Sequence, residues 1–187
     1  MFKCVTYPVN FNGMKERRVE LIGEAYFEIA KQKIPFIVNM KGLRTEVLGT
    51  HFNANSYPDE GVLRTTLLEG SIKVNIPESP DAIVLKPGYE AVVGPNIKGI
   101  RVEKVDMEEA VGWKNGSFVF IEQDLGPIMR QLSRWYNVEV EFSDPQKKNL
   151  EIGGYISRFS DIKKVLKMLE LTGMAKFKVI GHKVIVE

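Results

Sequence analysis

Four stretches share a pattern that few folds accommodate: a short apolar run, a glycine within two residues, then alternation. They are "VELIGEAYFEIA" (19–30), "TEVLGTHFNANS" (45–56), "TTLLEGSIKVNI" (65–76) and, more loosely, "AIVLKPGYEAVV" (82–93). Gly23, Gly49, Gly70 and Gly88 thereby fall 26, 21 and 18 residues apart. Alternation of period two is the signal of a half-buried strand. Glycine inside such a strand marks a bulge, a bend or a close backbone approach. Strands that bend at a recurring point and stack on one another predict an all-β N-terminal domain, solenoid-like or sandwich. Helical patterns are hard to find before residue 106, so this domain is expected to span 1–105.

Composition narrows the function classes. The chain has 187 residues, enough for one domain or two small ones, and 44% hydrophobic content is ample for a packed core. Twenty-six basic against 24 acidic side chains leave a net charge of +2. Neither sign forms a long run, and dedicated nucleic-acid binding needs a concentrated basic field. No apolar run approaches the roughly 20 residues that cross a bilayer, and no signal-peptide pattern opens the chain. Cys4 is the single cysteine, so no internal disulfide forms. With no apolar export region before it, Cys4 reads as a passive terminal residue rather than a lipidated or reactive thiol.

The stretch "RTEVLGTHFNANSY" (44–57) looks at first like a site, because it gathers Thr50, His51, Asn53 and Asn55. Strand parity separates them. Leu48, Phe52 and Ala54 share one face with Thr50, whereas His51, Asn53 and Asn55 take the other, wet or capping a turn. A metal or hydrolytic site would want a second histidine or converging carboxylates, and the only other histidine is the distant His182. No catalytic, cofactor-binding or metal-ligating residue is therefore assigned, and no cofactor is expected. The alternative class, a carbohydrate-binding or cupin-like β-domain protein, would need the histidine and carboxylate set that this pattern lacks.

Residues 106–116, "DMEEAVGWKNG", read as a linker. Asp106 with Glu109 makes a capping box for one short helical turn. Trp113 is apolar enough to wedge between two domains, and Asn115-Gly116 is a turn signal. Beyond it, "FVFIEQDLGPIMRQLSRWYNVEVEF" (118–142) and "GYISRFSDIKKVLKMLELTGMAKFKVI" (154–180) each run strand, helix, strand. The first helix carries Leu125, Ile128, Met129, Leu132 and Trp135 on one stripe, with Asp124 as N-cap and Pro127 in the first turn. The second carries Ile162, Val165, Leu166 and Leu169, capped by Ser160 and ended by Gly173. Two helices on one face of a small sheet make a compact α+β C-terminal domain, 117–187, built from a duplicated strand-helix-strand unit. "FKVIGHKVIVE" closes it as a hairpin with Gly181-His182 as the two-residue turn, which accounts for His182.

An exposed sheet edge offers free N–H and C=O groups to a partner's strand. The terminal hairpin, last in sequence, is expected at such an edge, making Lys176, Lys178, Val179, Lys183 and Val184 the candidate partner-binding residues. Lys178 is the expected outward-facing position. Lys163, Lys164 and Lys167 read as a solvated helix face, and Trp135 in "RWYN" reads as core rather than a stacking platform for bases.

The fragments "ERRVELIGEAYFEIA", "PFIVN", "VLGTHFNANSYPDE", "TTLLEGSIKV", "LKPGYEA", "GWKNGSFVF" and "LSRWYNVEVEF" occur in the order and spacing of FecR-type anti-sigma regulators. The resemblance covers about residues 7 to 187. It implies a non-enzymatic, periplasmic signal receiver tethered to the inner membrane of a Gram-negative bacterium. It implies as partner the periplasmic signalling domain of an outer-membrane TonB-dependent transporter. An extracytoplasmic-function sigma factor would be bound through a cytoplasmic segment that precedes a membrane helix. The C-terminal duplicated unit resembles the family's secretin/TonB short N-terminal domain, joined to a β-rich FecR domain. Residues 1–6, "MFKCVT", carry neither the cytoplasmic segment nor the helix, so the sequence reads as a shortened form. Sigma-factor binding falls on no residue of this chain.

Overall fold

The structure, a computed structural model, describes residues 4–8, 10–77, 79 and 82–187. Strands dominate it and helices are few. The described residues divide into two compact units, within 4–110 and 111–187. Residues 1–3 and the side chain of Cys4 lie outside the described residues.

The first unit is built from β1 (Cys4–Thr6), β2 (Arg17–Ile29), β3 (Phe36–Met40), β4 (Leu43–Val47) and β5 (Thr50–Ser56), followed by β6 (Leu63–Glu69), β7 (Ile72–Asn75), β8 (Ala82–Leu85), β9 (Tyr89–Val93) and β10 (Arg101–Lys104). They form one sheet in the order β10-β9-β6-β5-β2-β3-β4-β7-β8, with β1 also on β2. The long strand β2 is the pivot. Arg17–Glu20 pair in parallel with β3, whereas Gly23–Ile29 pair antiparallel with β5. Gly23, with φ 104°, sits where the partner changes, in a conformation that costs a residue with a Cβ.

The other three recurring glycines occupy corners of the same kind. Gly49 joins β4 to β5, Gly70 joins β6 to β7, and Gly88 joins β8 to β9. Each corner carries the chain from the β3-β4-β7-β8 half of the sheet to the β5-β6-β9-β10 half, or back. The register puts all three at one end, near Ile29 and Thr50, and Gly23 at the other, beside Ser56. The sheet thus folds over into two facing layers. Thr45 on β4 and Thr65 on β6, not neighbours in the sheet, bring their buried hydroxyls to 3.0 Å across the gap. Phe27 spans the same interior, stacked on Phe52 at 4.9 Å and tilted against Phe36 at 5.8 Å. Phe52, Leu43, Leu67 and Ile72 are fully buried there, each worth about 1.5–3 kcal/mol of burial. The recurrent pattern is therefore a set of bent strands whose glycines turn the corner between layers.

Parity holds for the inward face of β5, while Asn53, expected on the wet face, is buried, and it fails at the start of the strand. Phe52, Ala54 and Thr50 are buried as the alternation predicts, but Leu48 is 53% exposed. Leu48 lies in the turn between β4 and β5, where the pleat is interrupted.

The second unit contains a 3-10 turn (Gly112–Asn115), β11 (Ser117–Asp124), an α-helix at Leu125–Tyr136, β12 (Glu139–Phe142), β13 (Glu151–Ser157), a helix at Ile162–Glu170, β14 (Phe177–Ile180) and β15 (Lys183–Val186). The short α1 (Met107–Val111) precedes it, so the two longer helices are α2 and α3. Asp106 Oδ1 accepts from the N–H groups of Glu108 and Glu109 at 2.8 and 3.3 Å, capping α1. The duplicated pattern does not close into a single sheet. The first strands of the two repeats, β11 and β13, pair with each other, whereas the second strands, β12 and β14, flank β15. Leu125, Ile128, Met129 and Leu132 of α2 and Val165, Leu166 and Leu169 of α3 fill the space between these sheets.

Two caps differ from expectation. Asp124 stands at the N-cap of α2 without a side-chain bond, and the cap of α3 is Asp161, not Ser160: its carboxylate accepts from Lys164 N–H at 3.0 Å. Trp135 ends the α2 stripe at the rim, not in the core. It is 45% exposed, its ring lies under the Arg158 guanidinium at 3.7 Å, and its Nε1–H donates to the Arg158 carbonyl at 2.9 Å. Arg158 in turn donates to the Trp113 carbonyl, so the turn holding Trp113 is pinned to the second unit's own frame.

Candidate docking edge

The histidines are placed first. His51 Nδ1 lies 3.4 Å from Glu69 Oε2 on the neighbouring strand, with its side chain 43% exposed. Asn53 is buried and donates to Glu24 Oε1 at 2.9 Å, while Asn55 Oδ1 accepts from Tyr57 N–H, closing a turn. The polar residues of 44–57 therefore serve the strand and its exit. His182 sits in the Gly181-His182 turn, where only the first residue has positive φ (58°), as a type II′ hairpin requires. Among the described residues no group of three or more His, Cys, Asp or Glu side chains is placed to hold a metal ion. Glu90 is the one buried carboxylate among them. Burial pushes its pKa up, and Arg64 and Thr66 (3.0 Å) bind its two oxygens, the partner set of a structural ion pair.

The terminal hairpin places the five candidate residues unequally. β15 is the central strand, parallel to β12 on one side and antiparallel to β14 on the other. Lys183 and Val184 therefore lie on an interior strand. Val184 is fully buried, and Lys183 Nζ bonds Glu141 Oε2 at 2.9 Å, an interaction that raises the lysine pKa. Lys176, Lys178 and Val179 belong to the β14 side, a true edge. Main-chain direction then decides among them. Lys176 and Glu187 exchange both N–H···O bonds, at 2.9 and 2.8 Å. Antiparallel pairs alternate between bonded and non-bonded. Lys178 is consequently a bonded pair with Ile185, its N–H turned inward, while Phe177 and Val179 turn theirs outward. Lys178 is thus not an outward main-chain position, though its side chain is exposed.

One outward donor is already taken. Phe177 N–H donates to Glu170 Oε1 at 3.0 Å, and Glu170 Oε2 is held by Lys167 Nζ at 3.0 Å. That leaves Val179 as the outward rung of β14. Met168, Leu171 and Met174, at the end of α3 and in the turn that leads to β14, expose 40%, 79% and 49% of their surface. No sequence signal marks Glu170 as an edge guard. It sits seven residues from its partner, across a turn whose path the pattern does not define.

The fold has counterparts among solved structures. Two crystal structures of a proposed anti-sigma factor from Parabacteroides distasonis ATCC 8503, at 1.65 and 2.50 Å, share it. The first superposes with a TM-score of 0.86 over 98% of this chain and 85% of that one, at 24% identity. The second gives 0.85 over 97% and 84%, again at 24% identity. No curated protein matches the chain. The signature described as FecR protein matches residues 5–73, and that described as FecR, C-terminal matches 117–186. The chain belongs to the FecR family, a family of sigma-factor regulators rather than catalysts. Among the described residues no helix is long and apolar enough to cross a membrane.

Proposed function

We propose that this chain is the periplasmic signal-receiving region of a membrane-anchored anti-sigma factor. In this reading it relays a signal from an outer-membrane TonB-dependent transporter to an extracytoplasmic-function sigma factor. Residues 117–187 act as the receiving domain, 1–105 as the FecR-type β domain, and 106–116 as the joint between them. The sigma factor is bound by a cytoplasmic segment outside this sequence.

The observation that supports docking is the β14 edge. Its outward main-chain rung is at Val179, and the segment leading into β14 exposes the apolar side chains of Leu171 and Met174. A partner strand added there gains main-chain bonds for affinity and apolar contacts for specificity. The test is calorimetric titration of the chain with the signalling domain of a TonB-dependent transporter encoded beside it. Val179→Pro removes the outward donor and leaves the hairpin's own rungs intact. Affinity is expected to fall by a factor of about ten, or about 1.4 kcal/mol, with the circular dichroism unchanged. A folded Val179→Pro chain that binds as tightly as the parent moves docking away from β14.

A further inference from the structure

The first unit holds a cavity that the docking edge does not involve. It lies at the end of the folded-over sheet where β2 alone crosses between the layers, opposite the corners at Gly49, Gly70 and Gly88. Its volume is about 450 Å³, within the roughly 300–1,000 Å³ of small-molecule sites, which occur in the mouths of β-barrels. Leu21 and Ile22 of β2 form one wall, Val62 and Leu63 another, and Val93 at the end of β9 a third. The turn between β3 and β4 brings Lys41 to the rim.

Among the described residues the lining is mostly apolar, with Ser56, Tyr57 and Lys41 its side chains that carry polar atoms. Of these, the Ser56 hydroxyl donates to the Leu21 and Gly23 carbonyls at 2.9 and 3.2 Å. A polar ligand body would lose its water there and gain few partners, which disfavours sugars and peptides. Lys41 is exposed and, among the described residues, enters no ion pair or side-chain hydrogen bond. Among the described residues it is the one charged side chain in the wall. Ile22, 54% exposed, stands at the opening, so the cavity is reached from solvent.

We propose that this cavity binds a small amphipathic acid, its apolar body between the layers and its anionic head at Lys41. The apolar wall sets the body, and the unpaired ammonium sets the sign of the head. The site is independent of the edge at β14 and of any transporter.

Dodecanoate, kept below its micellar concentration, and dodecan-1-ol as the neutral control are titrated into the full chain by calorimetry. Dodecanoate is expected to bind one-to-one and saturably, and dodecanol more weakly. Lys41→Glu, in an exposed turn, should lower dodecanoate affinity about fivefold and leave dodecanol unchanged. Ile22→Asp, which sets a carboxylate in the mouth, should lower both about tenfold. Where Ile22→Asp disturbs the fold by circular dichroism, Lys41→Glu carries the test alone. No saturable binding, or dodecanoate binding that Lys41→Glu leaves unchanged, overturns the proposal.

Discussion

The Glu170 carboxylate reaches back from the last turn of α3 and accepts the Phe177 N–H at 3.0 Å, closing one of the outward rungs of an edge strand. Edge strands invite unwanted pairing, and proteins blunt them with charge or cover. Here a side chain occupies the donor itself. That bond, then Lys167, holds the Glu170 carboxyl below its usual 4.5. A carboxylate with a lowered folded pKa contributes stability that is whole above the unfolded value and lost as pH falls through the folded one.

Replacing Glu170 with Ala should free the Phe177 amide and speed its hydrogen exchange by about tenfold or more, with the fold retained. In the parent chain the same amide should lose protection only on acidification below pH 4.5. Equal Phe177 protection in both chains at neutral pH would mean that the carboxylate guards nothing.

The corner glycines should differ in sensitivity for a geometric reason. A Cβ on Gly49 would stand 2.6 Å from the Lys31 Cα, a backbone atom that cannot swing aside. One on Gly88 would meet nothing within 4 Å, leaving only the strain of φ 82°. Gly49→Ala should therefore cost about 2–3 kcal/mol and Gly88→Ala about 1 kcal/mol. Urea denaturation of the two variants measures this, and the reverse ranking would contradict the corner geometry.

The facing hydroxyls of Thr45 and Thr65 make a test of the layered interior. Thr45→Val alone strands a buried hydroxyl and should cost about 1–3 kcal/mol, whereas the double Thr45→Val/Thr65→Val chain should recover most of that loss. A thermodynamic cycle over the four chains reads the coupling. Additive losses would indicate that the two groups do not meet.

The second unit should stand alone. Its core residues, from Phe118 to Val186, all lie within 111–187. A fragment of those residues is expected to melt cooperatively with helical circular dichroism. A random-coil spectrum would tie its folding to the first unit.

Much of this was legible because it is local. Spacing alone placed Leu125, Ile128, Met129 and Leu132 on the buried face of α2, and the single Gly181 followed by His182 marked the final turn. The corner glycines were visible too, because a glycine that interrupts alternation has few uses. Pairing order was not legible. Val184 and Val179 look alike in sequence, yet one lies on a central strand and the other on an edge, since the partner of β15 is β12, some forty residues upstream. Parity misled at Leu48 because a turn resets the pleat. The direction of the Lys178 N–H depended on register, which no residue type encodes. Lys41 and Ile22 are ordinary surface residues until the turn and the crossing strand bring them to one rim.

The layers of the first unit are fastened unevenly: three glycine corners at one end, a single strand through Gly23 at the other. With fewer crossings, the opposite mouth is expected to be the more compliant end. Amides near Ser56 and Val93 should open at lower free energy than those near Thr50 and Leu67, as exchange rates would reveal. A ligand lodged at that mouth would bear on both layers through the one strand they share, β2.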